Sequence, residues 1–313
     1  MRRIPLITAA LIAVLAIPAG AQAATVGISD QQAGTFTNPL YAPLKMREAR
    51  YITPYDVMSN PAQKANLSAW IQAARAAHQK ILISFEHSNQ GSKAKKLPSV
   101  ASFTKELRKF KKAYPYVHEI SPWNEVNRKI FSVGGGQYQG QPTYKSPKRV
   151  AQYYMAARKV FRGSKYTIVG VDLLDQNKVA SSIRFLKSFL RYAHPRPKVI
   201  GLHNYSDTNR FSGSRTRAVL RVFPGKVWLT ETGGLVKLGT SFSYSLSRAS
   251  KALGCMFTLA KSNKRIQRLY VYQFNPAADP MTARFDAGLI NPDGSKRPGY
   301  TVVQKRKARA CHK

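Results

Sequence analysis

Acidic residues are what this chain has least of. Its 313 residues include 14 Asp and Glu against 51 Lys and Arg, a formal net charge of +37. Cysteine is nearly absent too: Cys255 and Cys311 are the only two, and their spacing makes no zinc motif. Beyond residues 4–18 there is no long apolar run, so no later segment is predicted to span a bilayer. The glycine cluster at 134–136 is not followed by Gly-Lys-Ser/Thr, which excludes a Walker-type phosphate loop. Zinc-finger and RNP-type patterns are missing as well. What is abundant excludes the opposite extreme. Hydrophobic residues make up 43% and aromatics 11%, so this is no disordered basic tail. The length suits one large α/β barrel or two modest domains.

Residues 1–23 read as a secretory signal peptide. Met1-Arg2-Arg3 is the basic start, 4–18 the apolar stretch, and Ala21-Gln22-Ala23 supplies small residues at a cut site. A membrane anchor is the alternative, but the run is shorter than the ~20 residues a spanning helix needs. A secreted, extracellular chain favours one Cys255–Cys311 disulfide over two free thiols. It would fasten the basic tail at 305–313 to an upstream helix. Strong positive charge suits a nucleic acid, an anionic membrane or an acidic polymer, and equally a solvated surface with no dedicated partner. Export argues against nucleic acid. A monomer without stable membrane insertion is expected, and no cofactor is called for.

From Ala24 onward, short β-branched runs alternate with longer stretches of helical spacing. Eight strands are predicted, at 25–29, 50–55, 80–85, 117–123, 167–173, 199–205, 226–230 and 268–274. Helices are predicted at 61–78, 98–114, 147–161, 179–192, 214–222, 241–262 and 299–307. Proline opens several of them, as suits a first helical turn. Eight such units in about 280 residues predict a single-domain (β/α)8 barrel over 24–304. A doubly wound sheet would need a glycine-rich turn after the first strand, where Ser29-Asp30-Gln31-Gln32 stands instead. Two loops are long, 128–146 with Tyr138 and Tyr144, and 275–298.

The few acids are not spread evenly. Asp30, Asp56, Glu86, Glu125, Asp175, Asp207 and Glu231 all fall at or just past strand ends, the face on which barrel active sites are built. Capping of the next helix accounts for Asp30, Asp56, Asp175 and Asp207. It accounts less well for Glu125, in Ser121-Pro122-Trp123-Asn124-Glu125, and Glu231, in Val227-Trp228-Leu229-Thr230-Glu231. Two carboxyl groups that share a site push their pKa values apart, giving one proton donor and one permanent charge. That is the requirement for breaking a sugar–oxygen bond.

On these residues the chain resembles the clan A glycoside hydrolases, which are retaining (β/α)8 enzymes. Asn124-Glu125 at the end of the fourth strand and Thr230-Glu231 at the end of the seventh match their two catalytic positions. Leu202-His203-Asn204-Tyr205 is similar to the end of their sixth strand, and 286–298 to their C-terminal stretch. The resemblance implies Glu231 as nucleophile and Glu125 as acid/base. It implies Asn124 on a sugar 2-hydroxyl, Tyr205 orienting Glu231, and Arg50 keeping Glu231 ionised. His203 and Glu86 are expected as further substrate contacts, and His203 and His87 as hydrogen-bonding histidines rather than metal ligands. The pattern departs from the family twice. Trp123 replaces a proline found two residues before the Glu in some members. The Trp platform common after the eighth strand is absent, so either Phe274 serves or there is no platform; Trp123 is the other candidate sugar-stacking ring, with core packing as its alternative. The expected substrate is a polysaccharide or oligosaccharide, with an acidic glycan suggested by the charge. A catalytically silent barrel binding anionic glycans, and an extracellular nuclease, are the other readings.

Overall fold

The structure is a computed structural model that describes residues 24–128 and 146–311. The expected signal peptide at 1–23 and the glycine cluster, Tyr138 and Tyr144 of the first long loop lie outside the described residues. Parallel strands form one ring. They are β1 (Thr25–Ser29), β2 (Glu48–Pro54), β3 (Lys80–Glu86), β4 (Glu119–Ser121), β5 (Thr167–Ile168), β6 (Asp172–Leu174), β7 (Val199–His203), β8 (Lys226–Thr232) and β10 (Ile266–Val271). They are ordered β5-β4-β3-β2-β1-β10-β8-β7-β6.

The eight expected strands account for these nine pieces, because β5 and β6 are two halves of one. The first half pairs with β4 and the second with β7. Between them the backbone changes partner, Val169 N–H bonding Ile120 O at 2.8 Å and Gly170 N–H bonding Val199 O at 2.9 Å. The fifth strand therefore closes the barrel by dividing its hydrogen bonds between both neighbours. The result is the single-domain (β/α)8 barrel expected.

Outer helices form where spacing and caps agree. In α1 (Pro61–Ala76), Pro61 opens the helix and the Asn60 side chain accepts from Gln63 N–H at 3.1 Å. Its buried face is Leu67, Trp70, Ile71 and Ala74. Ser99 caps α2 (Val100–Ala113) and Ser146 caps α3 (Pro147–Val160) in the same way. The remaining helices are α4 (Val179–Tyr192), α5 (Tyr205–Asn209), α6 (Ser214–Val222), α7 (Leu246–Lys261) and α8 (Pro298–Gln304). The helix expected from 241 begins at Leu246. The residues before it fold back on β9 (Lys237–Leu238), Phe242 bridging Leu238 and Ser245 N–H bonding Val236 O at 3.0 Å; β9 itself pairs antiparallel with β11 (Phe285–Asp286), and Ser245 caps α7. The first βα unit carries only 3-10 turns, at Ala33–Thr37 and Ala42–Leu44.

Of the four acids expected to cap the next helix only Asp207 does so; Asp56 makes no side-chain capping bond and accepts from Ser88 Oγ instead, while Asp30 and Asp175 bridge to later segments. Asp30 accepts from Gln32 N–H at 2.9 Å and from Phe274 and Asn275 N–H, each at 3.0 Å, so it ties the end of β1 to the segment after β10. Asp175 accepts from Ser206 and Asp207 N–H at the start of α5. Asp207 accepts from Arg215 and Thr216 N–H in α6. At the opposite mouth, Arg268 bonds Glu119 at 2.6 Å and Glu48 at 3.2 Å, with its guanidinium 3.9 Å from the Trp228 ring. Among the described residues no helix is long and apolar enough to cross a membrane.

Cys255 on α7 is disulfide-bonded to Cys311, with Cα atoms 5.0 Å apart and a sequence separation of 56. The bond holds the tail so that Arg309 lies over Gly254, where a Cβ would meet its side chain. Closing a loop of that length stabilises by at most about 4 kcal/mol through the unfolded chain. The Cys255→Ser/Cys311→Ser variant should lose about 2–4 kcal/mol in urea unfolding. An unchanged midpoint would show that the tail contributes nothing to stability.

Candidate active site

The site is assembled around Arg50, which β2 points into the barrel. The side chain is fully buried. Its Nη1 donates to Glu231 Oε2 at 2.8 Å and to Ser29 Oγ at 3.2 Å. Its Nη2 donates to Asn124 Oδ1 at 2.7 Å, and lies 3.3 Å from Ser84 Oγ, Asp172 Oδ2 and His203 Nε2. One guanidinium thus reaches groups from six of the eight barrel strands or their ends.

Asp172 is the counter-charge below it. Its Oδ2 accepts from Ser121 Oγ at 2.6 Å and Ser84 Oγ at 3.0 Å, and its Oδ1 from Thr230 Oγ1 at 2.6 Å. Burial opposes the charge, but Arg50, His203 and these hydroxyls outweigh it and hold the Asp172 carboxyl below the usual aspartate range. Gly201 on β7 makes room: a Cβ there would fall on the Asp172 carboxylate and 2.5 Å from the Thr230 hydroxyl.

Glu231, at the C-terminal end of β8, is 7% exposed. Besides Arg50, it accepts at Oε1 from the Tyr205 hydroxyl at 2.9 Å. Glu125 follows β4 in a tight turn, with a left-handed φ of 41° that side-chain-bearing residues rarely adopt. Asn124 N–H bonds Phe85 O at 2.7 Å and Val126 N–H bonds Asp172 O at 3.1 Å, so the turn is anchored on both sides. Glu125 Oε1 lies 3.1 Å from His203 Nδ1, and Oε2 accepts from Arg128 Nη1 at 2.9 Å. Because His203 Nε2 faces an Arg50 donor, the ring hydrogen belongs on Nδ1, facing Glu125. Burial works against protonation of this histidine, yet Glu231 and the bond to Glu125 outweigh it and raise its pKa.

Donor atoms of Glu125, His203 and Glu231 all lie within 4.8 Å of one another. They could surround a cation, but Arg50 and Arg128 bond the same two carboxylates and supply that positive charge. Burial raises the Glu125 carboxyl, while Arg128 and His203 together bring it down to about 2. Glu86, at the end of β3, goes the other way: burial first, then Glu125 and Glu231, push it up to about 7.

The structure brings Arg50, Glu86, Asn124, Glu125, His203, Tyr205 and Glu231 to one face, and places two expected rings elsewhere. Trp123 is 1% exposed, packed between Tyr55 and Tyr153 with centroids at 6.3 and 5.1 Å. Phe274 is fully buried against Tyr41. Neither offers a face to a sugar, and the reason is local. Trp123 turns outward, away from the ring, to join the helix layer. Beyond Val271 the eighth strand has ended, so strand alternation no longer decides which side Phe274 takes. Tyr272 lies near Glu231 instead, and burial with that charge raises its pKa. With Phe285 and Tyr205 it forms an edge-to-face row, at 5.7 and 6.3 Å from Phe285. Sequence reasoning missed Asp172, Arg128 and Tyr272. A lone acid inside an apolar strand signals the first, and a cation three residues past Glu125 signals the second.

A barrel with paired carboxylates at the ends of its fourth and seventh strands is the framework of a glycoside hydrolase. The family model described as glycosyl hydrolase catalytic core matches residues 135–298, and the chain belongs to that family. No curated protein matches it. Among solved structures it is similar to a family 39 glycoside hydrolase from Bacteroides cellulosilyticus WH2, at 14% identity and TM-score 0.64. That match covers 91% of this chain and 64% of that one, so this chain spans less than two thirds of that enzyme. It is also similar to xylanase B from Clostridium stercorarium F9, at 14% identity, TM-score 0.63 and coverage of 90% and 96%. An endo-1,4-beta-xylanase from Caldicellulosiruptor owensensis matches at 10% identity, TM-score 0.63 and coverage of 90% and 97%. At these identities the likeness is one of fold.

Removing Arg50 leaves Asp172 and Glu231 buried without their cation. Arg50→Met should destabilise the protein by about 3–5 kcal/mol at neutral pH. Asp172 has a depressed pKa, so its stabilisation is present above the usual aspartate range and lost as pH falls through the lower folded value. The difference between the variant and the wild type should therefore shrink in acid. Urea unfolding at neutral and acidic pH checks this, and a loss that grows as pH falls would contradict it.

Proposed function

We propose that the protein is an exported, retaining glycoside hydrolase that cleaves glycosidic bonds in a polysaccharide or oligosaccharide by double displacement. The observation that carries this is the pair Glu125 and Glu231, whose nearest ligand atoms with His203 fall within 4.8 Å. Carboxyl groups about 5–5.5 Å apart suit a covalent intermediate, while a wider gap suits a water between sugar and base. Their surroundings also differ. Glu231 is bonded to a buried arginine and a tyrosine, which suits a permanent nucleophile. Glu125 stands at the outer turn, where a leaving oxygen and then a water can reach it.

Glu231 attacks the anomeric carbon while the C–O bond breaks and Glu125 gives a proton to the departing oxygen. Glu125 then takes a proton from water, the water oxygen attacks the same carbon, and the Glu231 ester bond breaks. Arg50 holds Asn124 through Oδ1, which leaves the amide NH2 for the sugar 2-hydroxyl. Tyr205, Tyr272 and Phe285 supply the aromatic side of the cleft in place of Trp123 and Phe274.

The basic shell supports an acidic glycan as substrate and argues for a carbohydrate partner outside the cell. At the C-terminal ends of α2 and α3, far from the glutamates, Arg108, Lys111, Lys112, Lys159 and Arg162 line a cavity of about 480 Å³ with no acid in its wall. A binding-only barrel would share that cavity, but it has no use for the Arg50–Glu231 pair.

Purified protein should release oligosaccharides from at least one member of a polysaccharide panel. Glu231→Gln should lower turnover by about three orders of magnitude or more, and Glu125→Ala by about 10²–10⁴-fold. Azide should restore turnover to Glu125→Ala with substrates carrying a good leaving group. Wild-type turnover in either variant sinks the assignment.

A further inference from the structure

A general acid needs a proton on an oxygen that faces the leaving group. Here both oxygens of Glu125 are already acceptors, Oε1 from His203 at 3.1 Å and Oε2 from Arg128 at 2.9 Å. The guanidinium of Arg128 and the His203 ring hold the Glu125 carboxyl well below the usual carboxylate range and so oppose its protonation. Each oxygen keeps a second lone pair, so what opposes the proton is the ion pair with Arg128, and loosening that pair favours the acid form.

The two donors are not equivalent. His203 is fully buried and fixed from its other nitrogen by Arg50. Arg128 is 48% exposed in its side chain and lies on the same turn as Glu125. Its charge also bears on Glu231 and Glu86, and lowers the pKa of His87. Among the described residues, the other groups that face Glu125 are Glu231 from β8, Glu86 from β3, and the hydroxyls of Tyr205 and Tyr272 from beyond β7 and β10. None of them can replace a cation. Arg128 is thus the cation that opposes protonation of Glu125 and the more exposed of its two donors.

We propose that Arg128 is the specificity-determining residue of the cleft: it pairs with an anionic group on the sugar bound beside Glu125, and in turning to it frees Glu125 Oε2 for the leaving oxygen. The proton that then occupies Oε2 comes from solvent. This rests on the reading of Glu125 as the acid/base. The chemistry favours an anion because a guanidinium fork matches carboxylate and sulfate alike, forming two parallel hydrogen bonds. Exchanging one oxyanion for another keeps Arg128 paired throughout. A neutral sugar gives it no charge to move to, so the Glu125 pair stays closed. An acidic glycan thereby arms its own acid catalyst, and a neutral one does not.

The test is a carbon-13 titration of side-chain carboxyls in the full-length protein, with the Glu125 signal assigned from Glu125→Gln. Probes are sodium glucuronate, glucose 6-sulfate, glucose, and sodium chloride at matched ionic strength. Glu125 should titrate low in the wild type and at least about one pH unit higher in Arg128→Gln. Glucuronate or glucose 6-sulfate should raise the wild-type midpoint and leave Arg128→Gln unmoved, and glucose and chloride should do neither. The more effective anion tells a carboxylated from a sulfated glycan. The proposal is overturned if neither anion moves Glu125, if glucose or chloride moves it as far, or if Arg128→Gln titrates like the wild type. The titration reads no turnover. A protein inactive on the polysaccharide panel would count against the glycosidase reading while leaving the Arg128 result legible.

Discussion

A fully buried guanidinium is the constraint that the rest of this barrel satisfies. Desolvating an arginine is unfavourable unless its hydrogens are taken up by well-placed acceptors. Arg50 obtains them from Ser29, Ser84, Asn124, Asp172, His203 and Glu231, which arrive on different strands. Strand ends far apart in sequence are thereby brought to one registered position. Asp172 would itself be an unfavourable buried charge without Arg50 and the hydroxyls of Ser84, Ser121 and Thr230. The same network that closes the barrel interior also sets the orientation of Asn124 and Glu231.

The network explains how so basic a protein keeps a working acidic face. The shell carries its charge on long side chains in water, where screening makes each one weak. The rim acids sit where burial magnifies every neighbour. Within that small region, environment alone separates Glu125 from Glu86. Glu125 is drawn down to about 2 chiefly by Arg128 and His203, and Glu86 is pushed up to about 7 by burial and like charge. Glu231 is paired from below. Two-carboxylate chemistry needs the acid raised, so Glu125 must lose the influence of Arg128 before it can donate.

Much of this was legible in the sequence because the signals were local and periodic. Runs such as Lys80 to Phe85 and helices such as 61–78 stood out by strand and helix spacing, and their order implied the ring. Glu125 and Glu231 were conspicuous because acids are scarce. Long-range and irregular features did not show. The division of the fifth strand between two partners depends on neighbours 49 and 29 residues away, Ile120 for Val169 and Val199 for Gly170. Asp172 was visible as a residue but not as the counter-ion of Arg50, since period-2 alternation gives a face and not a partner. Trp123 and Phe274 were expected in the cleft by analogy. Backbone turns beyond β4 and β10 send both into the core, where large rings bury most apolar surface. Left-handed φ at Glu125 carries no sequence mark, because glycine is not used there.

The central claim is that Glu125 and Glu231 stand close enough, and unlike enough, to hydrolyse through a glycosyl-enzyme ester. Stereochemistry tests it most directly. Proton NMR of the first reducing ends released from a substrate of known anomeric configuration should show that configuration retained, before mutarotation mixes the anomers. Initial release of the inverted anomer would contradict the account.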